Sequence, residues 1–132
     1  MFTKKAVPYL QDKSGSVIYY RQIRTFGIGE SHLETDLLPL IDGQSDPTIA
    51  TYAKEGECCV RVASKRNTMA EAVQAVDEMT EKIKDIIGEF IYSIDDEELF
   101  QVAGRKLIDN NISISCAESC TGGMFAQTLT DI

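Results

Sequence analysis

The stretch of this 132-residue chain with the clearest chemical accent is Ala117-Glu118-Ser119-Cys120-Thr121-Gly122-Gly123. A run with strand-like alternation, Ile112 to Ala117, delivers a hydroxyl, a thiol and a second hydroxyl to the start of a helix-like run, Met124 to Leu129. Backbone N–H groups in the first turn of a helix have no partner within it and point toward any anion or carbonyl oxygen. Gly122 and Gly123 carry no side chain, so a ligand or a neighbouring backbone can come close. The logic is that of a strand-to-helix nucleophile turn, although the G-x-S-x-G pattern is absent. Ser119 is the candidate nucleophile and Cys120 its competitor. The same residues also suit a structural role, in which Ser119 or Thr121 caps the helix and the glycines permit tight packing.

Other reactive residues are sparse. Cys58 and Cys59 are adjacent, so a strand would send them to opposite faces. Cys116 and Cys120 lack the C-x-x-C spacing of common zinc and redox sites, and His32 is the only histidine. The four thiols therefore read as free cysteines packed as small apolar groups, and no metal or cofactor is expected. Gly27-Ile28-Gly29-Glu30 follows a strand, has G-x-G spacing and ends in an acid. A nucleic-acid-clamping KH domain instead places a G-x-x-G loop between two helices.

The elements that must position these residues follow from periodicity. Val17 to Phe26 is dense in β-branched and aromatic residues and predicts a strand. Ser31 with Glu34 has the spacing of a helix-capping box, and Leu33, Leu37, Leu38 and Ile41 follow at helical steps, with Pro39 an awkward member. Strands are predicted at 48–52 and 58–63, joined by a turn at Lys54-Glu55-Gly56-Glu57. Thr68 and Glu71 form a second capping box, ahead of a stripe of Ala72, Val73, Val76, Met79, Ile83, Ile86 and Ile87. Phe90 to Ile94 is a last short strand. The order β-α-β-β-α-β over residues 17–94 is the split βαβ arrangement, with both helices on one face of an antiparallel-rich sheet. Asp95 to Glu98 then opens a helix with the stripe Leu99, Val102, Ala103 and Leu107, followed by the predicted strand at 112–117 and the final helix. The fold class is α+β: a KH-like or ferredoxin-like split domain, then a truncated α-β-α segment of an α/β domain.

Thirteen basic and 21 acidic residues give a net charge of −8. Residues 17–94 hold eight basic and thirteen acidic side chains, a balance that repels phosphate backbones. Arg21, Arg24 and Arg61 could line one sheet face. Tyr19, Tyr20 and Tyr52 read as core or interface aromatics rather than stacking platforms. No apolar run approaches the roughly 18 to 20 residues of a membrane span, and the N-terminus lacks a signal-peptide pattern, so the default location is cytoplasmic.

The run from Ala117 to Gly123 resembles the signature that opens the C-terminal domain of the CinA family of competence/damage-inducible proteins, a domain associated with nicotinamide mononucleotide deamidase activity. Upstream, Phe26-Gly27-Ile28-Gly29-Glu30-Ser31, Asp46-Pro47-Thr48-Ile49-Ala50, Tyr52 to Glu57 and Arg61 are similar to that family's middle, KH-like domain. Residues 1–13 resemble the closing helix of its N-terminal, molybdopterin-binding-like domain. The resemblance implies three parts: 1–16, the tail of an N-terminal domain and a linker; 17–94, the middle domain; and 95–132, the severed start of the deamidase domain. It also implies that Ser119 is the catalytic serine, that Thr121, Gly122 and Gly123 shape the floor of a substrate pocket, and that no metal or cofactor takes part. The intact parent would hydrolyse the carboxamide of nicotinamide mononucleotide in pyridine-nucleotide salvage. The family pairs its serine with a lysine from a later segment, and no lysine follows Lys106 here. The chain alone is expected to be an inactive structural module, with an apolar tail that frays or pairs with another copy as a homodimer. The competing reading is a KH-like interaction module binding nucleic acid or a protein partner.

Overall fold

The computed structural model describes Tyr9 and residues 15–131. The expectation for residues 1–13 lies, apart from Tyr9, outside the described residues. The elements are β1 (Val17–Thr25), α1 (Glu30–Ile41), β2 (Thr48–Lys54), β3 (Glu57–Arg66), α2 (Met69–Ile87), a 3-10 turn (Gly88–Phe90), β4 (Ile91–Ser93), α3 (Leu99–Asp109) and α4 (Met124–Thr130). One four-stranded sheet is formed, in the order β2-β3-β1-β4. All three pairings are antiparallel, and β1 and β3 are matched along their whole shared length, from Val17↔Arg66 to Thr25↔Cys58. The sheet order, with each helix joining strands that are not neighbours, is the split βαβ topology. The fold class is α+β.

Alternation explains which side is buried. On β1 and β3, Ile23, Cys58, Val60 and Val62 point to the helices and form one cluster with Ile49, Leu33, Leu37, Val76, Ile83 and Ile87. Removing that apolar area from water, at roughly 25 cal/mol per Å², is the main force holding the helices on the sheet. The buried stripe of α2 runs Ala72, Val76, Thr80, Ile83, Ile87. Thr80 is tolerated there because its Oγ1 donates to the Val76 carbonyl at 2.7 Å. The Thr68–Glu71 capping box is formed in both directions, at 3.3 and 3.2 Å.

Several local expectations are corrected. The first helix is capped not by Ser31 but by Gly29, whose carbonyl accepts from the amides of His32 and Leu33, so the helix begins at Glu30. The helix runs on through Pro39 to Ile41. Arg21 and Arg24 do not share a face, since three positions apart in a strand means opposite sides. Arg21 sits on the helix side, 2.9 Å from Asp77 of α2, whereas Arg24 and Arg61 lie on the other. Tyr20 is exposed there, with the Arg61 guanidinium 4.5 Å from its ring centroid. Cys58 and Cys59 are buried as expected, while Cys116 and Cys120 are exposed.

The largest difference is in the last segment. Residues 112–118 carry no strand. Asn111, at a φ of 53°, turns the chain after α3, and the Ile112 amide bonds back to the Leu107 carbonyl at 2.9 Å. Alternation creates a strand only where a neighbouring strand accepts it, and among the described residues none does. Ile112 and Ile114 are 55% and 51% exposed.

Candidate functional site

The site residues lie together on the turn between the unpaired 112–118 segment and α4. Gly122 and Gly123 have φ of 60° and 95°, conformations that L side chains rarely adopt. A Cβ at either would meet nothing within 4 Å. The two glycines therefore serve backbone geometry rather than a close approach within this chain. The Gly122 amide donates to the Ser119 carbonyl at 3.2 Å and the Met124 amide to the Thr121 carbonyl at 3.1 Å. Ser119, Cys120, Thr121 and Gly122 are all exposed. No hydrogen bond ties the Ser119 hydroxyl to another side chain among the described residues.

The residue that organises the turn is Glu118, which sequence reasoning passed over. One carboxylate oxygen accepts from the Thr121 hydroxyl at 2.6 Å and the Phe125 amide at 2.9 Å. The other accepts from the Ala126 amide at 3.1 Å and faces the Cys116 Sγ at 3.8 Å. An anion at these amides is favoured by their unsatisfied donors and by the helix dipole. Neither Ser119 nor Thr121 caps α4, because the carboxylate outcompetes a hydroxyl for the same donors. The signal available in the sequence was an acid just before a glycine turn that opens a helix with no acid of its own.

The Thr121 hydroxyl, followed by the Phe125 and Ala126 amides, holds the Glu118 carboxyl below its ordinary value of 4.5. A depressed folded-state pKa contributes order that is present above pH 4.5 and lost as pH falls through the depressed value. Acidification is therefore expected to release the 118–126 turn. The check is NMR: the Phe125 and Ala126 amide resonances should titrate together, and the Glu118→Gln variant should lack that transition.

The cavity closest to this chemistry runs between α3, α4 and the β2–β3 turn. It has a volume of about 430 Å³, with Leu99, Phe100, Ala103, Phe125 and Leu129 in its wall and Glu57 and Glu98 at its edge. The 119–123 turn stands outside it. No cluster of three or more His, Cys, Asp or Glu side chains that could hold a metal ion occurs among the described residues.

Residues 20–93, which span nearly the whole sheet and both of its helices, match the family profile described as the damage-inducible protein CinA KH domain. Residues 96–132 match the CinA C-terminal domain. The chain belongs to the CinA family. Its relatives include a competence-damage inducible protein of Acetivibrio thermocellus, 46% identical over 132 residues, covering 100% of this chain and 32% of the relative. One from Clostridium beijerinckii is 41% identical, over 98% of this chain and 32% of that protein. A CinA-like protein of Dictyoglomus turgidum is 37% identical, over 100% of this chain and 32% of that protein. The chain spans about a third of the length of these relatives.

The two CinA profiles meet at residues 94–95, and there Arg24 gathers three acids, more than any other cation among the described residues. Arg24 of β1 is only 4% exposed. Its Nε donates to Asp96 at 2.7 Å, and its two terminal nitrogens engage Glu98 at 2.8 and 3.1 Å and Glu57 at 2.8 Å. The Tyr92 hydroxyl donates to Glu57. Asp96, held at a φ of 60°, also accepts from Gln22 Nε2 at 2.7 Å, and Gln22 in turn accepts from the Tyr52 hydroxyl at 2.7 Å. Burial works against the Arg24 charge, but bonding to Asp96, Tyr92 and Glu98 outweighs it and holds the pKa above the ordinary range. Sheet and junction are thus fastened by one guanidinium. The glycines of 27–29 connect β1 to α1, not two helices, so the G-x-x-G clamp is not formed. Among the described residues no helix is long and apolar enough to cross a membrane.

Proposed function

We propose that this chain is the middle-to-C-terminal part of an amide hydrolase acting on nicotinamide mononucleotide, with residues 17–94 serving as the joint between larger catalytic units. The observation that carries this reading is the seven-residue run Ala117–Gly123, whose serine stands exposed on a turn anchored by Glu118. Ser119 Oγ attacks the carboxamide carbon while a base takes its proton. The C–N bond breaks, ammonia leaves with a proton, and water then hydrolyses the acyl-serine to the carboxylate. Since Glu118 occupies the Phe125 and Ala126 amides, the amides of Cys120 and Thr121 are what this turn offers to the oxyanion. The base comes from a lysine outside this chain, because a serine without one is a weak nucleophile. The acidic balance and the absent G-x-x-G loop speak against nucleic acid as the ligand.

The test uses the Acetivibrio relative, intact and with its matching segment replaced by this chain. Both proteins are expected to release ammonia from nicotinamide mononucleotide and form the acid, while the 132-residue chain alone gives none. No release by the intact relative would end the reading for the family. Release by the relative but not by the hybrid would end it for this chain.

A further inference from the structure

A net charge of −8 hides a separation of sign across the sheet. The strands carry Arg21, Arg24, Lys54, Arg61, Lys65 and Arg66 against the single acid Glu57. Helices α1 and α2 carry eight acids against Lys82 and Lys84. Four of the strand cations are paired: Arg21 with Asp77, Arg24 with its three acids, Lys54 with Glu57 and Arg66 with Asp46. Arg61 and Lys65 form no ion pair among the described residues, and both are exposed on the sheet face opposite α1 and α2.

Between these two cations the face is apolar. Lys65 stands opposite Ile18 on β1 and Arg61 opposite Ala50 on β2, with Ala63 between them on β3. These residues line a groove of about 520 Å³. Ile18 in its wall is 62% exposed and Tyr20 beside it 53%. A ligand that fits must bring negative charge to both ends and an apolar side chain to the middle. Four residues of strand separate Arg61 from Lys65, about 13 Å, which is also the span of two side chains four apart in any extended segment. We propose that this groove docks an extended acidic segment of another protein, with two carboxylates four residues apart and a large apolar side chain midway.

Composition favours a partner that comes and goes. Tyrosine and arginine are enriched in interfaces, whereas a permanently covered face is more apolar, because cations buried in it lose their water. The positive run is also too short for a nucleic-acid strand. Asp46 bonds the Lys65 amide at one end, and Glu57, Asp96 and Glu98 surround Arg24 at the other. A groove that tracks a single strand extends its cations over several phosphates. The Arg61 guanidinium further covers one face of the Tyr20 ring, 4.5 Å from its centroid, where a base would stack.

The probe is a fluorescent peptide, Glu-Ser-Ile-Ser-Glu-Ser-Ile-Ser-Glu, whose acids and isoleucines share one side when extended. Its control has lysine for each glutamate. In NMR spectra of the isotope-labelled chain the acidic peptide is expected to shift the amides of residues 18–20, 50 and 61–65, and the control to leave them in place. Arg61→Gln combined with Lys65→Gln should weaken the peptide about tenfold, the worth of two exposed ion pairs, while Lys82→Gln on α2 changes nothing. The hybrid with the Acetivibrio relative should bind the peptide as the chain does. Shifts that are absent, shifts equal for both peptides, or a double variant as tight as the parent chain would each overturn the proposal. An oligothymidine of the same length that moves these amides at lower concentration would make the face a nucleic-acid surface. Binding by the chain but not by the folded hybrid would mean that the longer protein covers the groove with its own residues. Either result overturns the proposal equally.

Discussion

Replacing Arg24 with leucine is expected to cost about 2 to 3 kcal/mol of stability, below the roughly 3 to 5 kcal/mol of a fully buried network because Asp96 and Glu98 are half exposed. The reason is what stays behind. Glu57, Asp96 and Glu98 converge on that guanidinium within 2.8 Å; without it Glu57, 12% exposed, is left uncompensated, while Asp96 and Glu98, 51% and 53% exposed, keep their contact with water. Lys54, its Nζ 4.0 Å from Glu57, is paired with that acid alone among the described ion pairs. The measurement is urea denaturation of the variant against the parent chain. Arg24→Lys should recover only part of the loss, since an ammonium keeps the charge but cannot present a planar fork to Glu98 while also meeting Asp96 and Glu57. Adding Glu57→Gln to Arg24→Leu should regain stability by removing one uncompensated acid. The junction should loosen first, so hydrogen exchange in residues 96–102 should rise more than in α2. A change under about 1 kcal/mol, the worth of an ordinary surface pair, would show that the network is incidental to the fold.

That network marks where reading the sequence stops. The order of elements in residues 17–94 was legible because each reports itself locally: alternation at β1 and β3, a 3.6-residue stripe and a reciprocal capping box at α2. Alternation also settles, by parity alone, that Arg21 and Arg24 face opposite sides. It cannot say that Arg24 meets acids 33 and 72 to 74 positions away. Nor can it say that Asp96 bends to a positive φ to reach the guanidinium. At the site, the motif itself was legible and its wiring was not. Ser119, Thr121, Gly122 and Gly123 were singled out by type, but the carboxylate of Glu118 takes the donors that a capping hydroxyl or an oxyanion would have used. The predicted strand at 112–117 failed for a related reason: its period is a property of the residues, whereas a strand is a property of two chains of atoms side by side.

In the hybrid of this chain with the Acetivibrio relative, Ser119→Ala is expected to lower the rate of ammonia release by several orders of magnitude, as loss of a covalent nucleophile commonly does. The effect should fall on kcat, because a hydroxyl exchanged for hydrogen on an exposed turn leaves the surroundings of the substrate intact. Cys120→Ser separates the two candidate nucleophiles: it should leave most of the activity, and if it abolishes release while Ser119→Ala does not, the thiol is the attacking group. Glu118→Gln tests a different role. The amide keeps one acceptor but loses the charge that the Phe125 and Ala126 amides and the Thr121 hydroxyl converge on. The turn should then carry Ser119 less rigidly, with a smaller fall in kcat than Ser119→Ala, and it should lose any acid limb of the pH profile that comes from Glu118 protonation. Glu118→Asp, a shorter carboxylate, should restore that limb in part. A Glu118→Gln hybrid as fast as the parent at every pH would show that the carboxylate only caps α4, leaving the serine to be positioned by residues elsewhere in the longer protein.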